Sequence, residues 1–388
     1  MMILFKCRLM IYNNLFNVIY QILLQHQGPI VELSLSVWTR EVDTCVEVDK
    51  IILFLLRMNT VKKLHLGYLR RIPLDVVMSL QQLTDLYLHD SGVHQLDTFN
   101  GFSSTTTLTI DDIIITRKTL AHLLSKCPLL KTSSLFQQDC LMYPFDGDRS
   151  SLIELFECLP MIENLIIIHW SIQCFGECDL PRKLPISLYN LKYICLYDIH
   201  LGGDYHYGMP FLALLFRACP NLKKIKLSTY TDEEWNVGED YSDIQLNNLN
   251  ELEIETLGDE KPELKFVKLM LLKSPNLEKI KLRIYTSTMV STYPIMSETD
   301  SNEESDVGED FSDIELKKLI EIEFESLGSK KAELEFVKLM LLKSPVLKTL
   351  RIFLNKEVAE DEELEMLNIL LSCPHASPAV EITLHRDV

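Results

Sequence analysis

Short stretches in which every second residue is apolar recur from one end of the chain to the other. The alternation is plainest at Val31–Ser36, Val61–Leu66, Leu83–His89 and Thr106–Asp111, and again at Leu191–Tyr197, Leu249–Glu255 and Leu319–Glu325. A period of two puts the apolar side chains on one face of a strand and leaves the other face polar. A second phrase supplies the returns between strands. In residues 123–135, 155–168, 214–227 and 370–384 an apolar helical run ends near a small residue, then a proline, then a Leu-rich strand. Proline cannot continue a helix and disfavours helical geometry in the residue before it, so the break is written into the sequence.

Many neighbouring strands are separated by about the 20–29 residues of a leucine-rich repeat. A unit of that size cannot bury its apolar face alone, so units must stack. The expected fold is α/β: an irregular leucine-rich-repeat solenoid, a horseshoe with a parallel β-sheet on its concave face and helices outside. In the second half the repetition is literal. The phrase FVKLMLLKSP occupies Phe266–Pro275 and again Phe336–Pro345, and residues 237–277 and 307–347 agree at 28 of 41 positions at a constant offset of 70. This is a tandem duplication. The expected organisation is an N-terminal amphipathic helical segment (1–26), degenerate repeats (27–229), a first duplicated unit with acidic loops (230–300), and a second with a C-terminal cap (301–388). Residues 229–243 and 285–313 are densely acidic and poor in apolar residues, the composition of loops rather than of packed repeat.

Composition narrows the function. The chain has 388 residues, 47% hydrophobic and 24% charged, enough apolar material for a sizeable core. Its formal net charge is −18, with no Lys/Arg block to offset it, so nucleic acid is not an expected partner. The apolar N-terminus is interrupted by Lys6, Arg8, Asn13, Asn14 and Asn17, which a membrane-spanning helix would not tolerate, and Phe16, Ile19, Tyr20 and Leu23 recur at helical spacing instead. No membrane partner is expected. Cys127, Cys158, Cys219 and Cys373 each stand one or two residues before a proline, and read as small core residues of a cytoplasmic or nuclear protein. Cys174 and Cys178 resemble half of a metal site, but no second pair follows at zinc spacing, so no metal is expected. There is no G-x-S-x-G, no phosphate-cradling glycine loop and no H-E-x-x-H. Neither an enzyme nor a cofactor is expected, and His65, His89 and His169 read as strand-end surface residues.

The open face of a solenoid sheet is its default binding surface, lined by residues that alternate with the buried leucines. That places Lys63, His65, Asp85, Tyr87, Tyr193, Tyr197, Lys224 and Lys226 as candidate protein-binding residues, the tyrosines as aromatic anchors. In the duplicated part, Glu251, Glu253 and Glu255 alternate on one strand, and Lys279, Lys281 and Arg283 on the next. Glu321, Glu323 and Glu325 follow, then Arg351. Acidic and basic rows on adjacent strands lie about 4.8 Å apart, so this pattern reads as a structural charge ladder.

The segments 16–37 and 59–93 resemble the stretch after the F-box and the first repeats of plant F-box/FBD/LRR-repeat proteins. The unit at 251–284 is similar to an FBD domain and is present twice, so the duplicated units are FBD-like. The resemblance runs from Phe16 to the C-terminus. It implies a protein-binding scaffold, the substrate-recognition part of an SCF-type ubiquitin ligase. The residues before Phe16 are too few for an F-box, so a Skp-type adaptor is an expected partner only if an F-box is encoded upstream. The alternative is a stand-alone repeat module with no ligase role.

Overall fold

The computed structural model describes residues 4–10, 15–38, 45–68, 74–77, 79–91, 101–113, 115, 117–136, 152–168, 183–201, 208–230, 241–257, 261–284 and 314–386. The acidic stretch 285–313 and most of 229–243 lie outside them, as do Cys174, Cys178 and His169. The chain divides into two compact units, Met1–Asp179 and Leu180–Val388, a division that falls inside the stretch 27–229.

In unit 1 the strands are β1 (Leu4–Met10), β2 (Glu32–Trp38), β3 (Lys63–Gly67), β4 (Asp85–His89), β5 (Thr107–Asp111), β6 (Thr132–Phe136) and β7 (Asn164–Ile168). All pair in parallel and in chain order. The helices α1 (Leu15–Gln25), α2 (Cys45–Met58), α3 (Leu74–Val77), α4 (Arg117–Ser125) and α5 (Leu152–Glu157) return the chain between them. The N-terminal segment differs from the helix expected over 1–26. It opens with β1, because Phe5, Cys7 and Leu9 alternate with Lys6 and Arg8 in sequence and the stretch pairs residue for residue with β2. Among the described residues of this segment the helix is α1, which buries Ile19 and Leu23.

Unit 2 repeats the plan with β8 (Tyr193–His200), α6 (Met209–Ala218), β9 (Lys224–Tyr230), β10 (Glu251–Leu257), α7 (Lys261–Lys273) and β11 (Lys279–Ile284). It continues through β12 (Glu321–Leu327), α8 (Lys331–Lys343), β13 (Thr349–Leu354), α9 (Glu360–Ser372) and β14 (Glu381–Arg386). These strands too are parallel and consecutive. Register shifts fall in β8, β10 and β12, between Leu196 and Ile199, Ile254 and Leu257, and Phe324 and Leu327. Unit 2 therefore builds one two-strand module three times: shifted strand, helix, straight strand. Sequence identity reveals only the last two copies. Each unit is a leucine-rich-repeat solenoid of the α/β class, its strand order being the signature of stacked repeats.

The core of each unit is a pair of apolar columns running across the strands. In unit 2, Ile194, Ile225, Leu252, Ile280, Ile322 and Leu350 stand in register and are all at most 2% exposed. The neighbouring column is Leu196, Leu227, Ile254, Leu282, Phe324 and Ile352. Burying one such side chain stabilises by about 1.5–3 kcal/mol, and Phe324→Ala in this column would cost about 3–5 kcal/mol. The matching column of unit 1 runs Leu33, Leu64, Leu86, Leu108, Ser133, Leu165. Ser133 is fully buried there, and its hydroxyl has no hydrogen-bond partner.

The repeats are joined by a backbone device common to both units. At most of the joints one carbonyl at the entrance of a strand accepts two successive N–H groups from the next repeat. Lys62 O takes Thr84 and Asp85, and Asn250 O takes Glu278 and Lys279. Side chains reinforce this joint differently. In unit 1 threonine hydroxyls donate to the preceding repeat: Thr84 to Lys62 O, Thr105 to Leu83 O and Thr106 to Thr84 O. In unit 2 asparagine amides do so: Asn221 to Tyr189 O, Asn248 to Pro220 O and Asn276 to Asn247 O. At four helix ends the residue before proline is small and buried: Cys127, Cys219, Ser274 and Ser344. A side chain there sits over the last turn, and the Cys127 thiol donates to Leu123 O at 3.2 Å.

Candidate protein-binding face

The strand residues that alternate with the core columns line the other face of each sheet. Of the sequence-derived candidates, Lys63 and His65 stand on β3, Asp85 and Tyr87 on β4, Tyr193 and Tyr197 on β8, and Lys224 and Lys226 on β9. Lys63 is exposed and the other seven are half-buried. They fall into separate settings, one in unit 1 and one in unit 2.

In unit 1, parallel register sets His65 beside Tyr87 and His89 beside Asp111. The His65 and Tyr87 rings meet edge-on at 4.1 Å between centroids, and the Ser34 hydroxyl lies 3.3 Å from His65 Nδ1. The Tyr87 hydroxyl donates to Asp111 Oδ2 at 2.5 Å, and His89 Nδ1 lies 3.0 Å from the same oxygen. Burial, then the Asp111 carboxylate, push the Tyr87 hydroxyl above its ordinary range, so it stays a donor. Tyr68, at the end of β3, packs its ring against His89 at 4.8 Å and takes a left-handed φ of 58°. Asp90 and Asp112 have left-handed φ at the ends of the next two strands. Each of these three residues then sends its N–H to the following repeat, at His89, Asp111 and Phe136. The sequence reading left His89 as a strand-end surface residue and did not single out Asp111 or Tyr68. The signal was there: carrying the alternation two residues further along each strand would have added His89 and Asp111.

In unit 2, Tyr193 and Tyr197 flank Cys195, whose side chain shares their hydrogen bonding and is 1% exposed. Burial raises both hydroxyls, that of Tyr197 to about 12. Lys224 and Lys226 stand 6.0 Å from the Tyr193 and Tyr197 ring centroids, at the outer limit of cation–π attraction. The lysines turn mainly to carboxylates. Lys224 reaches Glu251 at 3.1 Å, and Lys226 reaches Glu253 at 3.0 Å and Glu255 at 2.7 Å.

The charged rows continue that arrangement. Lys279 lies 3.4 Å from Glu321, and Lys281 lies 2.8 Å from Glu323 and 2.5 Å from Glu325. Arg283 pairs with Glu325 and stands 3.5 Å from Glu255, while Arg351 meets Glu321 at 2.5 Å and Glu323 at 3.1 Å. Lysines therefore serve the acidic strand that follows them, and Lys281 leans to β12 although Glu253 is also its register neighbour. Burial alone would lower the Lys226 and Lys281 ammonium groups, but hydrogen bonds to their glutamates outweigh it and both are raised. Burial would raise Glu323, but Lys281 and Arg351 hold it below the ordinary carboxylate range. Each half-exposed pair is worth about 0.2–1 kcal/mol, and the network as a whole leaves this face neutral and occupied with itself.

Among the described residues no group of three or more His, Cys, Asp or Glu side chains is arranged to hold a metal ion. Nor is any helix among them long and apolar enough to cross a membrane. Cys127, Cys158, Cys195, Cys219 and Cys373 are free thiols, and burial raises each of them, to about 12 for Cys127 and Cys219.

No protein-family model matches the chain. Among curated proteins it is similar to an F-box/FBD/LRR-repeat protein of Arabidopsis thaliana, at 26% identity over 387 residues, 98% of this chain and 86% of that one. The resemblance to the plant F-box/FBD/LRR-repeat family thus extends over almost the whole chain. Among solved structures, an internalin (inlF) of Listeria monocytogenes covers 97% of this chain and 95% of its own, at 14% identity and a TM-score of 0.38.

Proposed function

We propose that this chain is a protein-interaction scaffold which holds a protein partner on the open sheet face of unit 1 and performs no chemistry itself. The cluster of Tyr87, His65 and His89 around Asp111 carries the reading. Its rings and hydroxyls are held by mutual contacts before any partner arrives, so little side-chain entropy is lost on binding. Half-buried tyrosine is also the residue type that most often anchors interfaces. The raised thiols support a non-enzymatic role, since protonated cysteine is a poor nucleophile.

The finer role we propose is that of the substrate-recognition part of an SCF-type ubiquitin ligase, acting in the cytoplasm or nucleus; what supports it is the similarity to an F-box/FBD/LRR-repeat protein. The second reading is a stand-alone leucine-rich-repeat module with no ligase role. Two measurements test these readings. Affinity capture with the wild-type chain and with Tyr87→Ala should recover a shared set of proteins that the variant loses and Lys281→Glu keeps; equal recovery by all three would remove unit 1 as the binding face. Titration with a purified Skp-type adaptor separates the ligase-linked reading, which requires binding, from the stand-alone one, which requires none.

A further inference from the structure

The strand β14 is last in the sheet order and is hydrogen-bonded to β13 on one side. It is also poorly covered. Leu350 and Ile352 on β13 are fully buried, whereas their register neighbours Ile382 and Leu384 are half-exposed. The helix leading into it, α9, buries Met366 and Leu370 but leaves Leu364 64% and Leu371 59% exposed. Seven residues apart, those two leucines share one side of the helix. An apolar helix stripe beside an open strand edge is a surface that proteins ordinarily cover.

We propose that this end of unit 2 is covered by the same end of a second copy of the chain, the two β14 strands pairing antiparallel about a twofold axis at Thr383. The strand's own sequence selects that occupant. Glu381 N–H donates to Lys348 O, and Glu381 is in register with Thr349. The odd-numbered residues of β14 therefore turn their backbone groups to β13, and Ile382 and Leu384 turn theirs outward. A twofold axis normal to the sheet matches like faces, so each residue meets one of the same parity. Centring on Thr383 sets Ile382 against Leu384 of the copy, and the reverse, as hydrogen-bonded pairs. Thr383 then meets Thr383 on the open face, and Glu381 meets His385, a complementary polar pair. Centring on Leu384 would set Ile382 against Arg386. Centring on Ile382 would set His385 against Ala379 and Glu381 against Thr383. The axis also brings the two α9 helices to one side of the joined sheet, where their exposed leucines face each other. An isologous contact of this kind closes at two copies and does not propagate.

Sedimentation of the full chain tests the arrangement. Wild type should run at about twice the 44.9 kDa chain mass. Within one chain Thr383 sits beside Arg351, so Thr383→Glu continues the alternation of acidic and basic strands and leaves the fold intact. Across the axis it sets two carboxylates face to face, so this variant should run as a monomer with an unchanged far-UV circular dichroism spectrum. Leu371→Asn should shift the equilibrium several-fold toward monomer. Mixing Thr383→Glu with Thr383→Lys should restore the doubled mass, because opposite charges then meet at the axis. A monomeric wild type would overturn the proposal, as would a Thr383→Glu chain that associates as tightly as wild type.

Discussion

The two units share a backbone plan and differ in what they set on its open face. Across β3 to β6 unit 1 presents hydroxyls, imidazoles and one tyrosine whose proton is held by Asp111. Across β9 to β13 unit 2 presents rows of like charge that neutralise the next row. A partner approaching unit 1 meets donors and rings already in place, while one approaching unit 2 must first compete with formed ion pairs. The same contrast runs through the joints between repeats, threonine in one unit and asparagine in the other. The lesson is that strand pairing tolerates either surface. What decides the role of a face is how far its polar groups have already satisfied one another.

The largest effect expected from a change that breaks this comparison is at Gly101 in unit 1. It adopts φ +99°, and an added Cβ would lie 2.2 Å from the Lys126 carbonyl oxygen. Gly101→Ala should cost about 2–4 kcal/mol, combining left-handed strain with a backbone clash. Hydrogen exchange should rise first in β4 to β6; unaltered protection there would sink the claim. Next, Lys281→Glu should destabilise unit 2 by ~0.5–2 kcal/mol, because two attractive cross-strand contacts become repulsive. Adding Glu323→Lys and Glu325→Lys should recover part of the loss, and strong salt should shrink the effect, being screened over about 8–10 Å. A triple variant no more stable than the single one would show the pairing to be incidental.

Ser133→Ala should act in the opposite direction. It removes a buried hydroxyl with no partner, and should stabilise unit 1 by about 1 kcal/mol in chemical denaturation. Smaller still is the acid response of the ladder. Because Glu323 is lowered in the folded chain, its contribution is complete above the ordinary glutamate value, about 4.3, and is lost as pH falls through the lowered one. Lys226 and Lys281 are raised, so their contribution is complete below about 10.4 and is lost only as pH rises through the raised values. Exchange measured at stepped pH should therefore show β12 loosening at the acid end while β3 and β4 change less. The smallest expected effect is Asn276→Ala, about 0.5 kcal/mol, since that amide bond is exposed.

Most of the solenoid was legible because its signal is redundant. Leu86 and Leu88 on β4, or Ile280 and Leu282 on β11, announce a one-sided strand by alternation alone, and the proline after Ser274 announces the helix end. The N-terminal strand β1 was not, since its seven residues sit in a stretch apolar enough to read as helix, and only pairing with β2 distinguishes the two. The third copy of the module, β8 to β9, was hidden because α6 and the β8 face have diverged while the register shift has not. On the candidate face, individual positions were readable from alternation, but the partners were not. Register makes Glu253 and Glu323 equal neighbours of Lys281; side-chain reach decides for Glu323 and Glu325, and reach is a property of packing.

The duplicated period and the ion pairing are offset by one strand. Lysines of β9 serve β10 and those of β11 serve β12, so the carboxylates of the second copy are neutralised largely by cations of the first. Position 349 is Thr where its counterpart is Lys279, and position 353 is Phe where its counterpart is Arg283; with β12 already served, those substitutions left no carboxylate stranded. In terms of inheritance, this half of the gene behaves like a string of interchangeable beads. Unequal crossing-over that added or removed one 70-residue period would bring a lysine strand against a glutamate strand at the new junction, and no fresh charge would need to be matched.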